Sequence, residues 1–361
     1  MKKQNCLYSL TVCGRDGVDK AYCIGSVVDL IWAQEDPKAL LAKMADKDIK
    51  IISMTITEGG YNLDNATGEF VLTEPNVAHD LKNGATPKTP FGYVAEGLRQ
   101  RMKAGSGPVT ILSCDNLQHN GDTAKKAFGA FFKAQDPELF AWVEKNVTFP
   151  NSMVDRITPA TTPADIERLN KQNGTDDLVP VFAEDYIQWV IEDNFVAGRP
   201  DWDQFENVEF CKDVTAYENM KLSLLNASHT LLSYPSFLHG YRRVDEAMRD
   251  PTIIKFVEDF MNKDITKYVP APGKVDLDLY KKTLVERFAN KTVSDQVARL
   301  CMDGLSKFAV YVVPNLAKML ADGSDLTRVA YLIASYYHYL HYKKDDKGES
   351  FPIVDNVMNA E

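Results

Sequence analysis

A chain of 361 residues with 45% apolar and 25% charged side chains has the make-up of an ordinary globular protein long enough for two domains. Its net charge of −10, with no long basic run, excludes a nucleic-acid-binding surface as an expectation, and no stretch reaches the ~18 apolar residues of a membrane span. The six cysteines (Cys6, Cys13, Cys23, Cys114, Cys211 and Cys301) are scattered and form no C-x-x-C pair, so neither a disulfide scaffold nor a zinc ribbon is indicated, and reduced thiols fit a cytoplasmic compartment. The opening Met1-Lys2-Lys3-Gln4-Asn5-Cys6-Leu7 has no apolar h-region, so no signal peptide is expected.

The first half alternates strands and helices. Leu7–Val12 and Ala21–Ile24 read as a hairpin turned between Gly14 and Gly17. Asp36-Pro37 opens a helix by N-cap and first-turn chemistry, with Leu40, Leu41 and Met44 on one face. Ile49–Ile56 reads as a buried strand ending at Glu58-Gly59-Gly60. Phe91–Met102 has helical spacing, Val109–Ser113 is the next strand, Asp122–Lys133 is a helix, and Val147–Phe149 is short and strand-like. Such alternation implies a parallel sheet covered by helices, and ligands bind at the strand ends of such sheets, where Glu58 and Asn116 fall. From about residue 205 helical patterns follow one another, at 215–233, 251–262, 276–289, 292–303, 309–321 and 325–341, with no strand of comparable length. The expected fold class is therefore α/β followed by all-α: a partial Rossmann-like domain over 1–204 and a helical substrate domain over 205–361.

The most informative segment is Glu218-Asn219-Met220-Lys221-Leu222-Ser223-Leu224-Leu225-Asn226-Ala227-Ser228-His229. At about 100° per residue, Lys221, Glu218, His229 and Asn226 share an arc of roughly 140° while leucines take nearly every other direction. A helix that is apolar almost all round is buried, and a buried ammonium costs several kcal/mol unless it is paired or loses its proton. Burial lowers a lysine pKa, and a lysine poised near neutrality is a general base. A structural Lys221–Glu218 pair at i, i+3 satisfies the same spacing, which leaves the two readings open.

Lys221, Asn226 and His229 resemble the K-x4-N-x2-H signature of the polyol-specific long-chain dehydrogenases, the family of mannitol 2-dehydrogenase and fructuronate reductase. Thr55-Ile56-Thr57-Glu58-Gly59-Gly60-Tyr61 resembles the T-x-T-E-G-G-Y strand end of that family. Ser113-Cys114-Asp115-Asn116-Leu117-Gln118-His119-Asn120-Gly121 is similar to its S-C-D-N block, and Phe149-Pro150-Asn151-Ser152-Met153-Val154-Asp155-Arg156-Ile157-Thr158-Pro159 to its F-P-N-S-M-V-D-R-I-T-P block. The blocks follow the family's order from about residue 4 to about residue 355, and the spellings stand nearest to the mannitol 2-dehydrogenases.

The resemblance implies an NAD-dependent oxidoreductase that interconverts a polyol and a ketose without metal. It implies Lys221 as the base, Asn226 and Asn116 as donors to the reacting oxygen, and His229 as an orienting group. Glu218 would tune or relay the Lys221 proton, or else be a plain surface carboxylate. Glu58 and Asn116 would lie on the nicotinamide side of the cofactor. Asp155 would lie in the substrate site, although Asp155 and Arg156 could also simply pair with each other. Lys307, in Asp303-Gly304-Leu305-Ser306-Lys307, and Arg299 are substrate-contact candidates, with Leu305 standing where the family often has Ser. His338 and His341 are the only close histidines and read as a helix surface rather than a metal site.

One expected part is missing. The sequence contains no G-x-G-x-x-G; Gly105-Ser106-Gly107 is followed by Pro108 and a strand where a helix should begin. In the family that turn lies N-terminal to the L-Y-S-L-like segment found here at the start, and further helix follows the Pro352–Asp355 segment. The chain thus resembles the central part of a family member, trimmed at both ends. The alternatives to a mannitol/fructose enzyme are a fructuronate/mannonate reductase, or a non-catalytic remnant that keeps the sugar pocket without the cofactor loop. The choice between NAD and NADP and the oligomeric state stay open.

Overall fold

The structure, a computed structural model, describes residues 1–355 apart from Asn65, Asn83 and Lys274. The described residues form nine strands, β1 (Tyr8–Cys13), β2 (Asp19–Ile24), β3 (Ile51–Met54), β4 (Val109–Ser113), β5 (Val147–Thr148), β6 (Ser152–Asp155), β7 (Val181–Glu184), β8 (Gln188–Glu192) and β9 (Val208–Cys211). They form three three-stranded sheets ordered β2-β1-β7, β3-β4-β5 and β6-β8-β9. The chain packs as two compact units interleaved in sequence: residues 1–28, 155–187 and 216–361, and residues 29–154 and 188–215.

The second of these units contains the parallel sheet, with β3 paired to β4 and β4 to β5, all parallel. Every residue of β4 is buried, as expected of a parallel strand covered on both faces. The flanking helix Pro90–Ala104 starts where Thr89 accepts the Gly92 amide at 3.2 Å and ends at Gly105 with φ +65°. Asp136-Pro137 opens the helix Pro137–Asn146 in the same way. Phe91, Phe128, Phe131 and Phe132 fill the space between helices and sheet with tilted and edge-on ring contacts. The strand Val208–Cys211, absent from the sequence reading, lies parallel to β8. At four residues it is too short to set up a recognisable alternation.

The first unit joins a small sheet to a helical body. The hairpin β1–β2 is antiparallel, with Tyr8 opposite Ile24, and β7 adds parallel to β1. The remainder is helical from Thr215 onward, with Asp250-Pro251 capping the helix Pro251–Asp259. Three helices carry π turns, at Lys221–Asn226, Phe260–Ile265 and Phe308–Val312. In each, the amide that follows bonds the carbonyl five residues back: Ala227 to Leu222, Thr266 to Met261 and Val313 to Phe308. Pro314, just after the third, supplies no amide to continue an ordinary ladder. The expected helix at 292–303 is only Val297–Cys301, because the Asn290 side chain accepts the Thr292 amide and hydroxyl and Ser294 takes φ +41°.

Candidate active site

The helix Thr215–Met220, the π turn Lys221–Asn226 and the helix Ala227–Leu238 run on without a break and are buried almost throughout. Glu218 is 2% exposed and Lys221 6%, so Glu218 is a buried carboxylate, and the surface reading of it is corrected. The π turn also corrects the even 100° advance. Five residues of ideal α-helix would swing Asn226 about 140° away from Lys221. A turn closed by i→i−5 bonds brings residues five apart towards the same face. The K-x4-N spacing therefore suits a π turn better than an α turn. Asn315, on the helix after the third π turn, donates to Ser223 Oγ at 2.8 Å and fixes the Lys221 turn from inside.

The Asn226 side chain has an atom that is buried without a hydrogen-bonding partner, Oδ1. A buried polar atom left unpaired costs about 1–3 kcal/mol, so the position is tolerated where a ligand completes it. One turn on, His229 packs its ring against Phe288, with centroids 4.3 Å apart. Burial pulls its pKa down to about 3, against the nearby charge of Asp295 and with that of Arg299 and Arg287. His229 is therefore a neutral imidazole at working pH, a hydrogen-bonding group rather than a cation.

Two ion networks bear electrostatically on His229. Arg299 pairs with Asp295 one turn earlier, with Nε 2.9 Å from Oδ1. Asp155 pairs with Arg287, not with its neighbour Arg156, which donates to the Glu184 carbonyl at 3.1 Å. Lys307 donates to the Leu300 carbonyl at 3.0 Å and the Arg299 carbonyl at 3.3 Å, closing the end of the helix that carries Arg299. Lys221, Asn226, His229, Glu218, Asp155, Arg299 and Lys307 thus all belong to the helical unit.

Asn116 and Glu58 belong to the other unit, after the C-terminal ends of β4 and β3. The Glu58 side chain lies outside the described part of the structure. Asp115 organises this edge: its carboxylate accepts the Ile56 amide at 3.1 Å, the Thr57 amide at 2.8 Å and the Tyr61 hydroxyl at 2.7 Å. Those bonds hold Thr57 at φ +67°, a conformation a threonine adopts only under constraint. Beyond it, a Cβ added to Gly59 would meet nothing within 4 Å, so the Glu58–Tyr61 turn borders open space. Asn120 ties the block to the P-N-S segment, donating to the Asp115 and Ser152 carbonyls at 3.0 and 2.8 Å and accepting the Ser152 amide at 2.9 Å. Gly121 permits that closeness, since a Cβ there would stand 2.4 Å from the Pro150 carbonyl oxygen. Burial raises the Cys114 thiol to about 11, so it is no nucleophile.

Sequence reasoning overlooked Asp115, Asn120, Ser152, Glu184, Arg287 and Asp295. The first three stood inside recognised blocks. Arg287 meets partners 132 and 103 residues away and leaves no local signal.

A family model for the mannitol dehydrogenase Rossmann domain matches residues 1–204, and one for the mannitol dehydrogenase C-terminal domain matches residues 213–361. The chain belongs to the mannitol dehydrogenase family. It is 43% identical to the polyol:NADP oxidoreductase of Gluconobacter oxydans over 97% of its own length and 72% of that protein's. It is 37% identical to mannitol 2-dehydrogenase of Emericella nidulans over 99% of this chain and 72% of the relative. Its structure is similar to that of Pseudomonas fluorescens mannitol 2-dehydrogenase in a ternary complex with NAD and D-mannitol, with TM-score 0.94 and 42% identity, over 98% of this chain and 72% of the other. A D-sorbitol dehydrogenase structure matches at TM-score 0.87 and 43% identity, over 99% and 74%. Among the described residues no helix is long and apolar enough to cross a membrane.

Proposed function

We propose that the protein oxidises D-mannitol to fructose, and the reverse, with NAD as hydride acceptor, Lys221 as general base and no metal. The observation that carries this reading is the buried Lys221 on a π turn that brings it towards the face of Asn226, whose side chain has a buried atom lacking a partner. A polyol supplies what both need, because its reacting hydroxyl gives a proton to Lys221 and a neighbouring hydroxyl can donate to Asn226 Oδ1.

In oxidation, Lys221 Nζ takes the hydroxyl proton while the Asn226 amide holds the reacting oxygen, and reduction runs the same transfers backwards. Glu218, one turn before Lys221, relays or tunes that proton. His229, held neutral, orients a hydroxyl without competing for it. The Glu58–Gly60 turn, with open space at Gly59, and Asn116 fit the nicotinamide half of the cofactor. Bound NAD supplies the two-electron acceptor.

The substrate assignment follows from how the cations are occupied. Arg287 is bound to two carboxylates, Arg299 to Asp295, and Lys307 to two backbone carbonyls. A hexonate such as mannonate needs a cation for its carboxylate, whereas a neutral polyol is served by Asp155, Asn226 and His229. Initial rates of NADH formation with D-mannitol and with D-mannonate test this. Mannitol is expected to react at least about tenfold better in kcat/KM, unaffected by a chelator. A preference for mannonate, or activity lost with a stoichiometric metal, replaces this reading. NADP in parallel decides the cofactor.

A further inference from the structure

Arg287 is the most heavily engaged charge in the helical unit, and nothing in the proposed chemistry uses it. It is 2% exposed and sits between two carboxylates that are equally buried. Its Nη1 and Nη2 donate to the two oxygens of Asp155 at 3.0 and 2.8 Å, a parallel fork. Its Nε and Nη2 donate to Glu184 at 2.8 and 2.7 Å. The Tyr186 ring covers the guanidinium, 4.0 Å from Cζ. Glu184 is itself pinned, since one of its oxygens accepts the Ile157 amide at 2.5 Å, two residues beyond Asp155.

The two carboxylates are placed unequally. Glu184 spends its oxygens on Arg287 and on the backbone. Among the described residues Asp155 receives the two Arg287 bonds, one per oxygen, which leaves further acceptor capacity on its carboxylate. The Asp155 charge bears on His229, and Phe288, the residue after Arg287, carries the His229 ring. A structural bridge is complete with one carboxylate. A second, anchored to the backbone, stops the guanidinium from pivoting and so fixes the plane of the first.

We infer that Arg287, clamped by Glu184, is a positioning residue: it holds the Asp155 carboxylate in one orientation, so that Asp155 accepts hydrogen bonds from substrate hydroxyls beside His229. The inference rests on the polyol reading above. Charged acceptors make the stronger hydrogen bonds, and a site built to pair a hydroxyl penalises an analogue without it.

The test uses Arg287→Lys and Glu184→Gln in the purified chain, with kcat and KM for the polyol and for its deoxy analogues, KM for NAD, and polyol binding by calorimetry. Lys replaces the planar fork by a point charge. Arg287→Lys is expected to raise the polyol KM about tenfold or more and to erase most of the preference over one deoxy analogue, with KM for NAD within about twofold. Glu184→Gln should raise the polyol KM by about two- to fivefold in the same direction. If the folded variants keep the polyol KM and the discrimination, and lose only melting temperature, the network is structural and the inference is overturned. Should Arg287→Lys fail to fold, an unchanged KM in Glu184→Gln overturns it equally. Absence of both polyol turnover and polyol binding in the unsubstituted protein overturns the polyol reading itself, and this inference with it.

Discussion

The two most deeply buried arginines, Arg101 and Arg287, lie one in each compact unit and are solvated in opposite ways. Arg101 is surrounded by backbone carbonyls: Gly107 at 2.8 Å, Met44 at 3.2, Asp46 at 2.7, Ile49 at 3.0, Ser106 at 3.3 and Pro108 at 2.9. These oxygens belong to the ends of the helices Pro37–Ala45 and Pro90–Ala104 and to the approaches to β3 and β4, where the chain leaves acceptors unpaired. Neutral dipoles do not cancel the charge, and burial lowers the Arg101 pKa. Burial works against the Arg287 cation too, but Asp155 and Glu184 outweigh it and hold its pKa above the usual arginine range. The first arginine closes the ends of a scaffold. The second concentrates charge beside His229, where a hydroxyl-bearing ligand can use it.

That difference is sharpest in how each loss depends on pH. Arg101→Met leaves six carbonyls without their donor. At about 1–3 kcal/mol for each acceptor that water does not reach, the unfolding free energy should fall by about 4 kcal/mol or more. Carbonyls do not titrate, so denaturant titrations should give the same loss from about pH 5 to pH 8. Arg287→Met should cost about 3–5 kcal/mol near pH 8, because two carboxylates are left buried and unpaired. Burial already raises the Glu184 pKa with Arg287 present. Without the arginine, that burial acts unopposed and the folded-state pKa of Glu184 lies further above its unfolded value. The folded state then binds more protons, so the loss shrinks as pH falls towards about 5 and grows as it rises. A pH-independent loss in Arg287→Met, or a titrating loss in Arg101→Met, would erase the distinction between the two regions.

The sequence reveals those parts of the molecule whose causes are local. Val109–Ser113 is a strand over the residues expected, since the short β-branched and apolar run Val109-Thr110-Ile111-Leu112 after Pro108 favours little else. The helices after Asp36-Pro37 and Asp250-Pro251 begin where cap chemistry puts them. Ser152–Asp155, Gln188–Glu192 and Val208–Cys211 were missed as strands because four or five residues carry no period, and pairing between distant segments makes them. In the site, Lys221, Asn226 and His229 could be named from their motif, but not the π turn that gives K-x4-N its geometric sense. Backbone bonding of i→i−5 type has no signature in side-chain periodicity. The Arg287 network was invisible for a related reason: the arginine lies 132 and 103 residues from its two carboxylates.

The central claim is that Lys221 is the base, and replacing it is the direct test. Lys221→Ala should retain its melting behaviour and polyol binding, lose about 10²–10⁴-fold in kcat for polyol oxidation, and recover part of that rate with added small primary amines. Near-normal turnover of Lys221→Ala at neutral pH, without added amine, would contradict the account.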